Sequence, residues 1–312
     1  MEASLKIGTR GSKLALWQAN WVKSALNEKL PRQTIELVTI KTKGDKILDV
    51  PLADVGGKGL FVKEIEQALM DRRIDLAVHS MKDMPSEIPP ELCIGAVPPR
   101  ENPWDVFISK KGLKFSNLEP GSVIGTSSLR RAAQLQHARD DIVIRPLRGN
   151  LDTRLRKLET EDLDAIVVAA AGVIRLSLQD RITEYFNNEI MLPAVGQGAL
   201  CIEIRQNDPD VEAMVCALDH APTRTIVIGE RAFLKRLEGG CQIPIAGYGK
   251  IENGRYMLTG LVAGIDETTL IKDTMTGPIE SSESVGIKLA EQLLQQGAGK
   301  ILEQLKFRDI KL

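Results

Sequence analysis

Short aliphatic runs alternate with amphipathic stretches over most of this 312-residue chain, and that alternation limits the folds open to it. Leu5-Lys6-Ile7-Gly8 reads as a first strand. Leu14, Trp17, Trp21, Val22, Ala25 and Leu26 then fall at helical spacing, with Ser12 placed to cap the helix. Residues 35–40 alternate apolar and polar side chains as a half-buried strand does. The glycine-rich stretch 55–59 interrupts, 60–72 is helix-like, and Ile74 to Val78 reads as a buried strand. Strand–helix–strand–helix order predicts a parallel sheet flanked by helices.

Two breaks divide the pattern. Val97-Pro-Pro-Arg-Glu-Asn-Pro103 holds three prolines in seven residues and suits an inter-domain connection. Strands at 105–109, 122–126, 142–147 and 164–170, with helices from Ser128 and over 151–159, then predict a second α/β unit between 104 and 192. Leu192-Pro-Ala-Val-Gly-Gln-Gly198 is the second break, and 200–204 is strand-like again. From Ala221 a helix to Glu238, strands at 245–251, 255–263 and 268–276 and a helix from Ser281 predict a smaller α+β unit.

Charge narrows the ligand. The chain carries 41 Lys and Arg against 42 Asp and Glu, a net charge of -1, which argues against a nucleic-acid binder. An aromatic content of 4% also leaves little for base stacking. Yet Thr126 to Lys157 holds eight basic residues against Asp140, Asp141 and Asp152, and seven of the eight are Arg. A guanidinium presents a planar fork that matches carboxylate or phosphate, which an ammonium does not. No apolar run approaches the ~18 residues of a membrane helix. Met1 to Arg10 shows no apolar stretch of the secretory kind, so reduced thiols and a cytoplasmic location are expected.

Several motifs carry possible chemistry. Gly125-Thr-Ser-Ser-Leu-Arg-Arg131 follows a strand and opens a helix, where free N–H groups, the hydroxyls of Thr126 and Ser128, and Arg130 and Arg131 can gather an anion. Arg145-Pro-Leu-Arg148-Gly149-Asn150 repeats the form at the next strand end, with Arg154 one turn on. Ordinary capped helices with solvated arginines would show the same residues singly. Two such turns at successive strand ends converge on the edge where open α/β sheets bind ligands. Thr9-Arg10-Gly11-Ser12 has the same form in the first unit.

His79-Ser-Met-Lys82-Asp83 is read as a polar loop after the strand ending at Val78, either a local salt bridge or a proton-handling site. Three His in the chain and the absence of paired carboxylates give no expectation of a metal. Val55-Gly-Gly-Lys58-Gly59-Leu-Phe61 lacks the phosphate-loop pattern and reads as a lid or tight turn, with Phe61 over an aromatic ligand or in the core. Cys241, flanked by glycines, is read as an accessible nucleophile, an attachment point or a structural thiol. Cys93, Cys201 and Cys216 have apolar neighbours and are expected to be buried.

Taken together, the segments 9–19, 55–64, 77–85, 125–131, 145–155, 192–199 and 239–245 resemble the porphobilinogen deaminase (hydroxymethylbilane synthase) family, in that family's order and across all three units. The resemblance implies an α/β fold of two periplasmic-binding-protein-like (type II) domains with a hinge, plus a smaller C-terminal α+β domain. It implies residues 1–98 with 199–216 as the first domain, 104–192 as the second and 221–312 as the third. It implies a transferase that condenses four porphobilinogen molecules head to tail on a covalent dipyrromethane primer, releases ammonia at each addition, and frees hydroxymethylbilane by hydrolysis. The primer would be joined by a thioether to Cys241, and Asp83 would be the catalytic carboxylate, stabilising the azafulvenium and assisting proton transfer. Arg10, Ser12, Lys82, Ser128, Arg130, Arg131, Arg148, Arg154 and Arg175 would hold acidic side chains. Gln18, Thr126, Gly149 and Gln197 would surround cofactor and substrate, and Lys58 and Phe61 would belong to the lid. The family also implies a cytoplasmic monomer with no nucleic-acid or membrane partner. Asp54 departs from relatives that have Lys before the lid glycines. Outside the family, a non-catalytic two-lobed polycarboxylate-binding protein would explain the arginines but leave Asp83 and Cys241 idle.

Overall fold

The computed structural model describes residues 4–46, 59, 62–237, 243–264 and 269–309. The chain begins with β1 (Leu5–Thr9), α1 (Lys13–Lys29), β2 (Ile35–Thr39), a single turn α2 (Lys43–Lys46), α3 (Lys63–Met70), β3 (Leu76–Ser80) and β4 (Leu92–Ala96). It crosses over and continues with β5 (Asp105–Ser109), β6 (Val123–Gly125), α4 (Leu129–Ala138), β7 (Val143–Arg145), α5 (Leu151–Thr160), β8 (Ala165–Ala169), α6 (Ala170–Arg175) and β9 (Glu184–Tyr185). It then returns through β10 (Leu200–Arg205) and α7 (Pro209–Val215). The last unit is α8 (Ala221–Arg236), β11 (Ile245–Glu252), β12 (Arg255–Ala263), β13 (Leu270–Pro278), α9 (Ser282–Leu293) and α10 (Gly299–Asp309).

The first sheet has the order β2-β1-β3-β10-β4, and the second β7-β6-β8-β5-β9. Within each, three strands are parallel, joined through helices, and one strand delivered by a crossing is antiparallel between the last two. Thus β5 and β10 are exchanged products of the two crossings. The third unit is an antiparallel meander, β11-β12-β13, packed under α8 and α9 around Phe233, Tyr256, Leu258 and Leu289. These are the two type II α/β domains and smaller α+β domain that the family resemblance implied. Among the described residues no helix is long and apolar enough to cross a membrane.

Local chemistry explains most element ends. The Ser12 hydroxyl accepts the Ala15 N–H at 3.2 Å and starts α1; Ser128 and Asn150 do the same for α4 and α5. The apolar face of α1 is rotated from the one its spacing marked. Ala15, Gln18, Ala19, Val22 and Leu26 are buried, while Trp21 is 37% exposed. Small side chains let the helix lie close on the sheet, and the bulky indoles sit at its margin.

Two further expectations need correction. The third strand extends to Ser80 rather than stopping at Val78, because Leu200 and Cys201 pair with Ser80 and His79 and prolong the ladder. His79 is therefore a buried sheet residue, not part of a polar loop. Cys216 is exposed, since it lies on the surface turn that ends α7, and its thiol donates to the Ala213 carbonyl at 3.1 Å.

The crossings at 97–103 and 192–198 run together. The Glu101 N–H donates to the Gly198 carbonyl at 3.2 Å, and Arg100 Nε donates to the Gln197 carbonyl at 2.8 Å. Gly198 has φ +88°, and a Cβ there would stand 2.4 Å from the Glu101 carbonyl oxygen, so a side chain is barred. Glu230 of α8, fully buried, accepts from Arg100 Nη1 at 2.7 Å and from the backbone N–H groups of Gly196 at 2.6 Å and Gly249 at 2.7 Å. One carboxylate thus ties both crossings to the third unit. Removing it strands a buried guanidinium and two N–H donors. Glu230→Ala is expected to lose about 3–5 kcal/mol of stability, read as a lowered denaturant midpoint; a change below about 1 kcal/mol, the worth of an exposed pair, would contradict the role.

Candidate functional site

The strand ends that carry the sequence motifs face one cleft. β1 and β3 are parallel neighbours, so Arg10 after β1 and the turn Met81–Asp83 after β3 leave the first sheet at the same edge. β6 and β7 are parallel neighbours in the second sheet, which brings Thr126–Ser128 and Arg148–Asn150 together. Lys82 and Asp83 are half-buried, as are Arg10, Arg148 and Arg154. The Asp83 carboxylate acts electrostatically on Lys82 beside it and on Arg154 of the facing domain.

The basic segment divides by partner. Arg139 is bound to Asp141, Arg145 to Asp162, and Lys157 to Glu161, all away from the cleft. Arg130 and Arg131 are only 5% exposed and converge on Asp105, which the sequence did not single out. Arg130 Nη1 donates to Asp105 Oδ2 at 2.7 Å; Arg131 Nε and Nη2 donate to Asp105 Oδ1 at 2.9 and 2.7 Å. Burial alone would raise the Asp105 carboxyl, but the two guanidiniums outweigh it and hold it well below the usual range. Gln197 Nε2 also donates to Asp105 at 3.1 Å, and its Oε1 accepts from Lys82 Nζ at 3.4 Å. Asp105 therefore links the arginine turn of one domain to the Lys82 turn of the other.

Cations crowd the cleft. Burial lowers Lys82 to about 8, helped by Arg131 and Arg130 against Asp83 and Asp105. Burial lowers Arg154 to about 10, helped by Arg131 and Arg148 against Asp83. Such shifts mark cations crowded together and held from water, the setting in which a polyanion binds. Arg154 is aimed by its Nε donating to the Gly149 carbonyl at 2.8 Å. Gly149 adopts φ +116°, where a Cβ would lie 2.5 Å from the Thr153 side chain. The Thr126 hydroxyl accepts the Ser128 N–H at 3.2 Å and shapes the anion turn.

The structure does not bring every expected residue into this cluster. Gln18 is buried and donates to the Ser80 hydroxyl at 3.0 Å, bracing β3. Arg175 is buried at the crossing, donating to the Gly198 carbonyl at 2.8 Å with its guanidinium 5.8 Å from the Trp17 ring. Burial lowers it to about 10 against the pull of Glu101. The Ser12 hydroxyl also caps α1, accepting the Ala15 N–H. Lys58, Phe61, Asp54 and Cys241 lie outside the described residues. Among the described residues no cluster of three or more His, Cys, Asp or Glu could hold a metal ion.

Comparison with known proteins decides what the cleft belongs to. The family model for the porphobilinogen deaminase dipyrromethane cofactor-binding domain matches residues 5–213, and that for the C-terminal domain matches 225–295. The chain belongs to the porphobilinogen deaminase family. It is 54% identical to the porphobilinogen deaminase of Syntrophotalea carbinolica, over 97% of this chain and 96% of that one. It is 53% identical to that of Carboxydothermus hydrogenoformans and 51% to that of Pelobacter propionicus, each over 98% of both chains.

The residues fit a porphobilinogen deaminase cofactor. A dipyrromethane bears carboxylates, and Lys82, Arg148 and Arg154 form the crowded cationic surface that carboxylates neutralise. Lys82 should report this directly. Without the cofactor its ammonium is expected to titrate near pH 8, and with bound carboxylates the midpoint should rise, followed by NMR of nitrogen-labelled lysine. A midpoint at the ordinary 10.5 in the cofactor-free protein would contradict the burial argument.

Proposed function

We propose that Asp83 is the catalytic carboxylate of this cleft and that Arg10, Lys82, Arg148 and Arg154 anchor the acidic side chains of cofactor and substrate. As a porphobilinogen deaminase family member, the chain is a transferase of tetrapyrrole biosynthesis. It joins porphobilinogen units stepwise on a dipyrromethane cofactor, with loss of ammonia, and releases hydroxymethylbilane by hydrolysis. The observation that carries the role of Asp83 is that its carboxylate acts on cations of both domains, Lys82 of the first and Arg154 of the second. When bound, the dipyrromethane supplies the acceptor carbon on which the chain grows.

The protein's own groups do the rest. Guanidinium forks bind propionate and acetate groups and fix each pyrrole plane, which converts a bimolecular encounter into an oriented one. Asp83, on the turn braced by the Met84 N–H donating to the Met81 carbonyl at 3.2 Å, is placed to stabilise positive charge that develops as the substrate loses ammonia. The same carboxylate can take up the proton that leaves the pyrrole carbon as the new bond forms. Arg130 and Arg131, held by Asp105 and by the Leu192 and Val167 carbonyls, act from behind through their charge. Cys241 is the attachment point in this reading, and Lys58 and Phe61 close the site. The reading includes domains at 1–98 with 199–216, 104–192 and 221–312, in a cytoplasmic monomer. A binding protein without catalysis accounts for the arginines but gives Asp83 no task.

Replacing Asp83 by Asn keeps its shape and removes its charge, so kcat is expected to fall by about 100- to 10,000-fold with the dipyrromethane still attached. Near-normal turnover would remove Asp83 from the mechanism. Intact-protein mass spectrometry is expected to show the 34.3 kDa chain plus one dipyrrole, lost in Cys241→Ser. An adduct that survives this substitution would place the attachment elsewhere.

A further inference from the structure

A cluster of titratable groups lies on the α3 face of the first sheet. Glu203 of β10 is fully buried, His79 of β3 is 5% exposed and Glu66 of α3 is 6% exposed. His79 Nε2 and Glu203 Oε2 are 3.0 Å apart. Oε1 of Glu66 and Oε1 of Glu203 are both buried without a hydrogen-bond partner. The His79 ring meets one of the two carboxylates, so a second ionised one would be buried with no partner of its own. Burial first, and then Glu203, raise the Glu66 carboxyl, against the pull of His79 and Lys63.

Two arginines of α8 and two neutral thiols surround the cluster. Arg231 of α8 faces Cys201 and Glu203, Cys93 of β4 feels Glu203, and Arg224 of α8 acts on both thiols. Arg231 Nη2 is meanwhile bound to the Pro85 carbonyl at 2.9 Å and to that of Ser86 at 3.4 Å. The Met81 N–H donates to the Ala199 carbonyl at 3.0 Å. The turn bearing Lys82 and Asp83 is thus pinned at its start by Ala199, just before β10, and just past its end by Arg231.

We propose that Glu66, His79 and Glu203 form a buried proton-sharing cluster that positions the Lys82–Asp83 turn from behind. Glu66 carries the proton, which turns an acceptor into a donor and removes the excess charge beneath β3. With that proton, α3 stays seated on β3 and β10; without it, two buried carboxylates repel across the same face. These are positioning residues, and their effect on turnover rests on the reading of Asp83 above.

Glu66 binds its proton in the folded chain at a pH where the unfolded chain has released it. Its contribution to stability is therefore complete below the ordinary 4.5 and fades as pH rises through the raised folded value. Lys82 behaves oppositely and in another window: its burial penalty fades only between about 8 and 10.5.

The test compares wild-type holoenzyme with Glu66→Gln and Glu203→Gln, following Tm, kcat and KM across about pH 5 to 9. Gln mimics the neutral acid and cannot lose its proton. The difference in Tm, Glu66→Gln minus wild type, is expected to grow in favour of Gln as pH rises, and the kcat ratio to grow about 3- to 10-fold with it. A Tm difference independent of pH overturns the shared proton, whatever happens to Glu203→Gln. Glu203→Gln is expected to lower kcat about tenfold or more at little-changed KM, with the dipyrromethane retained by mass spectrometry. An unchanged kcat overturns the positioning role. If Asp83→Asn is active while the Tm slope is as expected, it is the reading of Asp83 that falls and the shared proton that stands.

Discussion

Two guanidiniums and a carboxamide converge on the buried carboxylate of Asp105, and the cleft is organised around that convergence. The aspartate opens β5, the strand that the first crossing delivers into the second sheet. Its charge keeps Arg130 and Arg131 inside the protein, at a depth where isolated guanidiniums would be costly. Through Gln197 it also reaches Lys82, on the other side of the cleft. A single anion therefore sets how the two domains' cationic turns face each other. Its single charge is shared between Arg130 and Arg131, so the pair keeps a net positive charge facing Lys82 and Arg154.

Glu230 plays the comparable part outside the cleft. It gathers Arg100 and two backbone N–H groups at the point where both crossings meet the third unit. The two carboxylates are joined through one residue, since the Gln197 carbonyl accepts from Arg100 while its side chain reaches Asp105. The junction between domains thus has a polar, directional part beside its apolar contacts, such as Ala133 and Leu192 against Ala246 and Leu261. Hydrogen-bonded charge specifies geometry more narrowly than apolar contact does, because each donor has few acceptable directions.

Much of this was legible in the sequence because the motifs are local. Strand, glycine, hydroxyl and arginine at fixed spacing announce an anion turn whichever way the sheet is assembled, and 125–131 and 145–150 were readable on that ground. The prolines at 97–103 marked a true crossing. What could not be read were pairings between distant residues. Asp105 and Glu230 look like ordinary acidic residues in their segments, and only the fold brings Arg130, Arg131 and Arg100 to them. His79 was misplaced for the same reason: the strand holding it is prolonged by Cys201, more than a hundred residues away. The rotated face of α1 shows the limit of periodicity, which cannot tell a tryptophan at the margin from one in the core. The return of 200–204 to the first sheet came from family resemblance, not from the residues themselves.

That return has a consequence for the order in which the protein is made. β10 lies between β3 and β4, yet it is synthesised about a hundred residues after β4. At ~5–20 residues per second, the first sheet waits roughly 5–20 s on the ribosome with the place beside its central strand vacant. During that interval the facing edges of β3 and β4 have no strand between them, and the turn that will carry Asp83 has no Ala199 carbonyl to hold it. The second domain has its whole sheet before the first does, because β5 to β9 are contiguous in the chain. The domain begun first is thus completed after the second, and its open edges are the part of the nascent chain most exposed to mispairing.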